Sequence, residues 1–206
     1  LLPATRAAWK EVMSDTPSLS ALKAAVSDPS CEVNRRVLGD VCRLGRDHTL
    51  LTFALARKKF DVADVLLRCS RVNGDVEDSD GCSPAVYAAW AGHVPSLELL
   101  KAKGVDLSRN CSSGVSPLAY ALEAGHSGTA RWLLTEGGVD PHVRSVHNKA
   151  TPLHYASEEG LPDVAAMLVV THKADLHAKT KVMPESQPIP CSFVMFFMFV
   201  CFLSLS

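Results

Sequence analysis

Charge of either sign is barely in excess in this sequence: 21 Lys and Arg stand against 22 Asp and Glu, a formal net charge of -1 at pH 7. That balance removes the electrostatic case for non-specific nucleic-acid binding. Paired cysteine motifs are lacking too. The seven cysteines (Cys31, Cys42, Cys69, Cys82, Cys111, Cys191 and Cys201) are odd in number, loosely spaced and include no C-x-x-C. This argues against a secreted disulfide framework or a zinc site, and for reduced thiols in an intracellular protein. Leu1-Leu2-Pro3 is not the charged-then-apolar opening of a signal peptide. No glycine loop for phosphate, no H-E-x-x-H and no nucleophile elbow occurs. Ser20-Ala21-Leu22-Lys23 fits S-x-x-K without its companion motifs, and reads as ordinary helix surface.

What the chain does have is a repeat. Thr151-Pro152-Leu153-His154-Tyr155-Ala156 is followed by Gly160, Met167-Leu168 and Ala174-Asp175. The same frame stands 35 residues earlier as Ser116-Pro117-Leu118-Ala119-Tyr120-Ala121, Gly125-His126, Leu133-Leu134 and Val139-Asp140. A further 33 residues back it is Ser83-Pro84-Ala85-Val86-Tyr87-Ala88, Gly92-His93, Leu99-Leu100 and Val105-Asp106. Another 34 back, Thr49-Leu50-Leu51-Thr52-Phe53-Ala54 and Leu66-Leu67 keep it, with Lys58 where the turn glycine belongs. Thr16-Pro17, Leu19, Ala21 and Gly39-Asp40 continue it weakly.

Each unit reads as helix, tight turn, helix and extended finger. The Thr or Ser hydroxyl caps an orphan amide of the first turn, and proline at the next position lacks only an N–H that the helix would not use. Glycine then closes the helix in a left-handed turn. The leucine pair opens the apolar face of the second helix. Two such short helices cannot bury their faces alone, so each unit must stack on its neighbour. First helices are predicted to begin near Leu50, Pro84, Pro117 and Pro152, and second helices to run near 62–68, 96–101, 129–135 and 163–170.

These motifs resemble the ankyrin-repeat family, whose signature is T-P-L-H-x-A in a unit of about 33 residues. The resemblance implies an all-α solenoid of four to five helix–turn–helix units with extended fingers. The units fall at 48–80, 81–113, 114–148 and 149–181, with a degenerate one over 16–47. Only His154 keeps the signature histidine, which in the family helps tie neighbouring turns; Ala119, Val86 and Thr52 replace it elsewhere.

Residues 1–15 are expected to form a short N-terminal helix or linker, with Trp9 on its apolar side. At the other end, prolines 184, 188 and 190 break any helix, and a run of apolar residues follows. From 189 to 205 that run is 17 residues long, short of the ~20 a membrane helix needs. Residues 182–206 therefore read as a disordered or artefactual chain end outside the stack.

The eight histidines suggest metal or catalysis at first sight. His93, His126 and His154 are accounted for by the repeat. His142 with His147, and His172 with His177, lack carboxylate or thiol partners in register. No catalytic residue, metal site or cofactor is expected.

The resemblance implies partner contact through finger tips and the last turns of first helices. Carried over by alignment, these are Arg57, Trp90, Glu123, Glu158 and Glu159 on helices, with Asp78, Asp80, Arg109, Arg144, His147 and Lys149 on fingers. Trp90 stands out, because the frame expects a small or polar residue there. The function so implied is a monomeric, non-enzymatic, intracellular scaffold, cytoplasmic with the nucleus as the alternative, that binds an unidentified protein partner through its concave face, without nucleic acid. Membrane attachment is not expected, since only the 189–205 tail could provide it. The alternatives are a substrate- or regulator-recognition part of a larger enzyme, such as a ubiquitin ligase, kinase or acyltransferase, and an adaptor tethered to a membrane by that tail.

Overall fold

The computed structural model of the chain describes residues 1–37, 47–146 and 148–180. Among these, ten helices occur in five consecutive pairs: α1 (Pro3–Met13) and α2 (Leu19–Ser27), α3 (Leu50–Ala56) and α4 (Phe60–Arg68), α5 (Pro84–Ala91) and α6 (Val94–Ala102), α7 (Pro117–Glu123) and α8 (Ser127–Thr135), α9 (Pro152–Glu158) and α10 (Pro162–Val170). The β contacts among the described residues amount to one isolated antiparallel bridge between Val37 and His48. His147 and the 182–206 tail lie outside the described residues.

The helix starts follow from cap chemistry. The Thr49 hydroxyl accepts the Thr52 amide at 3.2 Å, and Thr52 Oγ1 accepts the Thr49 amide at 2.8 Å. This reciprocal box launches α3. At α7 the Ser116 hydroxyl accepts the Ala119 amide at 3.1 Å. At α9 His154 Nδ1 accepts the Thr151 amide at 3.2 Å and lies 2.7 Å from the Thr151 hydroxyl, while its ring also bonds the Ala178 backbone. The signature histidine thus ties its own cap to the next finger. Ser83 is the exception, its hydroxyl buried without a partner.

The first helices end in the left-handed region that glycine favours. Gly92, Gly125 and Gly160 hold φ of 76°, 73° and 64°, and Lys58 keeps the same turn at φ 56° without being a glycine. Backbone geometry is thus retained where the sequence departs from the frame.

The first helices pack in series, α1 on α3, α3 on α5, α5 on α7 and α7 on α9; behind them α2, α4 and α6 do the same, and α8 meets α10. We call these the inner and outer rows. Ala54, Ala88, Ala121 and Ala156 are each 0% exposed on the inner row, and their small side chains let successive helices approach closely. Leucines fill the space between the rows, among them Leu55, Leu66, Leu100, Leu122, Leu133 and Leu168.

The N-terminal reading needs correction. α1 packs on α2 and on α3, and Trp9 meets Phe53 edge-on at 5.6 Å. The first pair therefore opens at Pro3, and Thr16-Pro17 lies between its two helices rather than at a first-helix cap. Cations of the next unit secure it. Arg71 donates to the carbonyls of Val26 (2.9 Å), Asp28 (2.6 Å), Pro29 (3.1 Å) and Cys31 (2.8 Å), at the end of helix α2 and in the loop after it. Lys103 repeats the device on Cys69 and Val72, at 2.9 and 3.0 Å.

Two outcomes follow. A left-handed Lys costs about 1–2 kcal/mol, against ~0.5–1 kcal/mol of extra chain entropy for glycine. Lys58→Gly should therefore raise the unfolding free energy by about 0.5–1 kcal/mol in urea melts; an equal or lower value would mean the turn is unstrained. The second concerns acid. His93 stacks on Phe60 at 3.9 Å, and burial holds both His93 and His154 below the ordinary histidine value of 6.5. As pH falls, the unfolded chain takes up these protons first, so stability is full above about 6.5 and is lost as pH falls through the depressed folded values. Thermal melting should drop from pH 7.5 to 5.5, and less so in a His93→Gln, His154→Gln variant; a flat profile would contradict this.

Candidate functional site

The last turns of the inner helices place one residue of each unit in register: Ala56, Trp90, Glu123 and Glu158. The next position holds Arg57, Ala91, Ala124 and Glu159. Between α3, α5 and α7 opens a cleft of about 400 Å³, lined by His48, Ala56, Val86, Tyr87, Trp90 and Tyr120, with Cys82 in its wall. Trp90 is 42% exposed at its rim. The Lys58 ammonium sits 5.5 Å from the centre of the Trp90 ring, and the Arg57 guanidinium lies over Phe53 at 5.7 Å. Both are within cation–π range. Trp90 therefore does not belong to the core.

The fingers behave differently from the expected row of free charges. Asp78 is only 2% exposed. Its Oδ1 accepts the amides of Asp80 (2.9 Å) and Cys82 (2.8 Å), and its Oδ2 accepts the Tyr87 hydroxyl. It folds the finger and props Tyr87 in the cleft wall, so its assignment as a partner-binding charge is corrected. Asp80 is half-buried, and its carbonyl accepts the Ser112 amide of the next finger at 3.0 Å. Arg109 is exposed but bridges Glu77 at 3.2 Å and Asp75 at 3.4 Å. Arg144 lies 4.0 Å from Asp175. Lys149 is half-buried and takes the left-handed turn of its finger tip, at φ 56°, where the two preceding fingers have Gly81 and Gly114.

The helix-end charges are freer. Arg57, Lys58, Glu123, Glu158 and Glu159 are all exposed, and none of them is in an ion pair among the described residues. Burial pushes the Tyr155 phenol up; hydrogen bonds from Asn148 and Ser145 pull it down, and the nearby Glu123 and Glu158 carboxylates add to the rise.

Sequence reasoning missed Tyr87 and Tyr120 as cleft walls. The signal was present: each of the last four units carries an aromatic at the fifth position of its cap motif, as Phe53, Tyr87, Tyr120 and Tyr155. It also missed a disulfide. Cys82 and Cys111 are bonded across consecutive fingers, with Cα atoms 4.4 Å apart. The expectation of reduced thiols is corrected for this pair, which only the stacking of fingers brings together. Cys31 and Cys69 are free, and burial pushes the Cys31 thiol up.

Closing a loop of this length is worth roughly 3–4 kcal/mol in the chain-entropy model. Dithiothreitol should lower the stability of the native chain by about that much, while Cys82→Ser, already lacking the bond, should respond little. Equal melting with and without reductant would contradict the cross-link.

No group of three or more His, Cys, Asp or Glu side chains is placed to hold a metal ion among the described residues. No helix among them is long and apolar enough to cross a membrane. No curated protein matches the chain. Residues 103–180 match the family model described as ankyrin repeats (3 copies).

Proposed function

Because the chain carries ankyrin repeats, modules whose general role is protein–protein interaction, we propose that it is a non-catalytic, monomeric recognition scaffold. Its partner docks on the concave face, the surface made by inner-helix ends and fingers, with the Trp90 cleft at its centre.

The observation that carries this reading is the exposure of Trp90. A tryptophan left 42% accessible beside an aromatic-walled cleft is a standing cost in water, and tryptophan is enriched among the few residues that dominate interface energies. Lys58 partly covers its face, and a partner group that displaces the ammonium gains the whole ring. Arg57 and Glu123 stand at the inner-helix ends on either side of Trp90, with Glu158 and Glu159 one unit further on, so that charged groups flank an apolar anchor as they do in protein interfaces. Asp78 enters this reading only as support for Tyr87. Arg109 and Arg144, already paired within the fingers, contribute less than the helix-end charges.

The test is capture followed by substitution. A partner retained from cell extract by the full chain should bind Trp90→Ala more weakly by about 2 kcal/mol or more. Stability should change by less than about 1 kcal/mol, as for surface sites. Unchanged affinity would move the interface elsewhere. A loss of stability on the core scale, about 3–5 kcal/mol, would show that Trp90 holds the stack together instead.

A further inference from the structure

We propose that the occupant of this face is an extended peptide segment with charges in a fixed order: acidic, then a large apolar anchor, then basic. The inference rests on the reading that Trp90 marks the binding surface, and adds the chemistry of what binds there.

Three observations lead to it. The helix-end charges change sign along the stack, with Arg57 and Lys58 before Trp90, and Glu123, Glu158 and Glu159 after it. All five are exposed and outside the ion pairs of the described residues, whereas the finger charges Arg109 and Arg144 are neutralised by Asp75, Glu77 and Asp175. The unpaired charges of the helix ends are therefore dipolar, positive at one side of the cleft and negative at the other. Between them the cleft wall is mainly aromatic and apolar, with the Tyr87 hydroxyl committed to Asp78 and the His48 imidazole and Tyr120 phenol also in the lining.

Spacing turns this into a pattern. Adjacent packed helices lie about 8–10 Å apart, and an extended chain advances about 3.3 Å per residue. One unit of the stack thus matches about three residues of an extended ligand. An acidic residue opposite Arg57 and Lys58 places the apolar anchor about three positions on, at Trp90. Basic residues then fall about three and six positions further, at Glu123 and at Glu158 with Glu159. A helix with the same spacing of charges would advance only about 1.5 Å per residue, so that three residues reach about half a unit. A polyanion such as nucleic acid satisfies Arg57 and Lys58 but meets three unpaired carboxylates across the cleft.

The test uses fluorescent synthetic peptides of thirteen residues with a central leucine in glycine–serine spacers. One carries glutamate three positions before the leucine and lysines three positions after it and at its C-terminus. Its reversed sequence allows for either chain direction. Controls replace every charge with glutamate, every charge with lysine, or the leucine with alanine. One of the two mixed-charge peptides should bind the full chain about tenfold more tightly than either uniform peptide, with the advantage shrinking in salt. The alanine control and the Trp90→Ala protein should each lose that binding. In a Glu123→Lys, Glu158→Lys, Glu159→Lys variant the preference should pass to the all-glutamate peptide.

Equal binding of mixed and uniform peptides, or an unchanged preference in the triple variant, would overturn the charge order. If no peptide binds while a captured protein still depends on Trp90, the extended-peptide inference fails and the recognition site stands. If capture is indifferent to Trp90, the underlying reading fails first.

Discussion

Helices of seven to nine residues, such as α3 and α4, are too short to persist alone in water. Every other feature of this molecule depends on how that deficit is made up. The answer is burial between units. Ala54, Ala88, Ala121 and Ala156 bring the inner helices together, and leucines from both rows close the space behind them. Because stability comes from neighbour contacts, each unit needs only a correct cap, a correct turn and apolar faces. The loop and finger residues are left free to vary.

That freedom explains why the site lies where it does. At the inner-helix ends Trp90, Glu123 and Glu158 are exposed, outside the leucine layer and the alanine contacts, so their side chains carry little structural duty. Trp90, Glu123 and Glu158 occupy the same position in successive units with entirely different chemistry. The fingers are less free than their composition suggests. Asp78 is fixed by two amides and a phenol, the Asp80 carbonyl reaches the next finger, and the Cys82–Cys111 bond joins the same two fingers covalently. The wall of the Trp90 cleft is therefore rigid where the sequence alone suggested solvated loop.

What was legible in the sequence was what repeats. The starts of α3, α5, α7 and α9 at Leu50, Pro84, Pro117 and Pro152 follow from cap and proline chemistry that acts within four residues. Lys58 reads as a departure from the turn glycine, and only the structure shows it holding the same left-handed turn, at φ 56°. Features made by contacts between units were not legible. Asp78 reads as a surface charge until Tyr87, nine residues on, is seen to fold back onto it. Cys82 and Cys111 are 29 residues apart and become neighbours only when fingers stack. The first unit was misplaced because Thr16-Pro17 imitates a cap signal, whereas α1 starts at Pro3 without a side-chain cap.

The central claim is that recognition occurs at the inner-helix ends around Trp90. Backbone hydrogen exchange, compared between the free chain and its complex with a captured partner, tests this without altering any residue. The account predicts slowed exchange at the ends of α3, α5 and α7 and in the turns that follow them, near 56–59, 90–93 and 123–126, with α4, α6 and α8 unchanged. Protection confined to the outer row, with the turns after α3 and α5 exchanging as before, would contradict it.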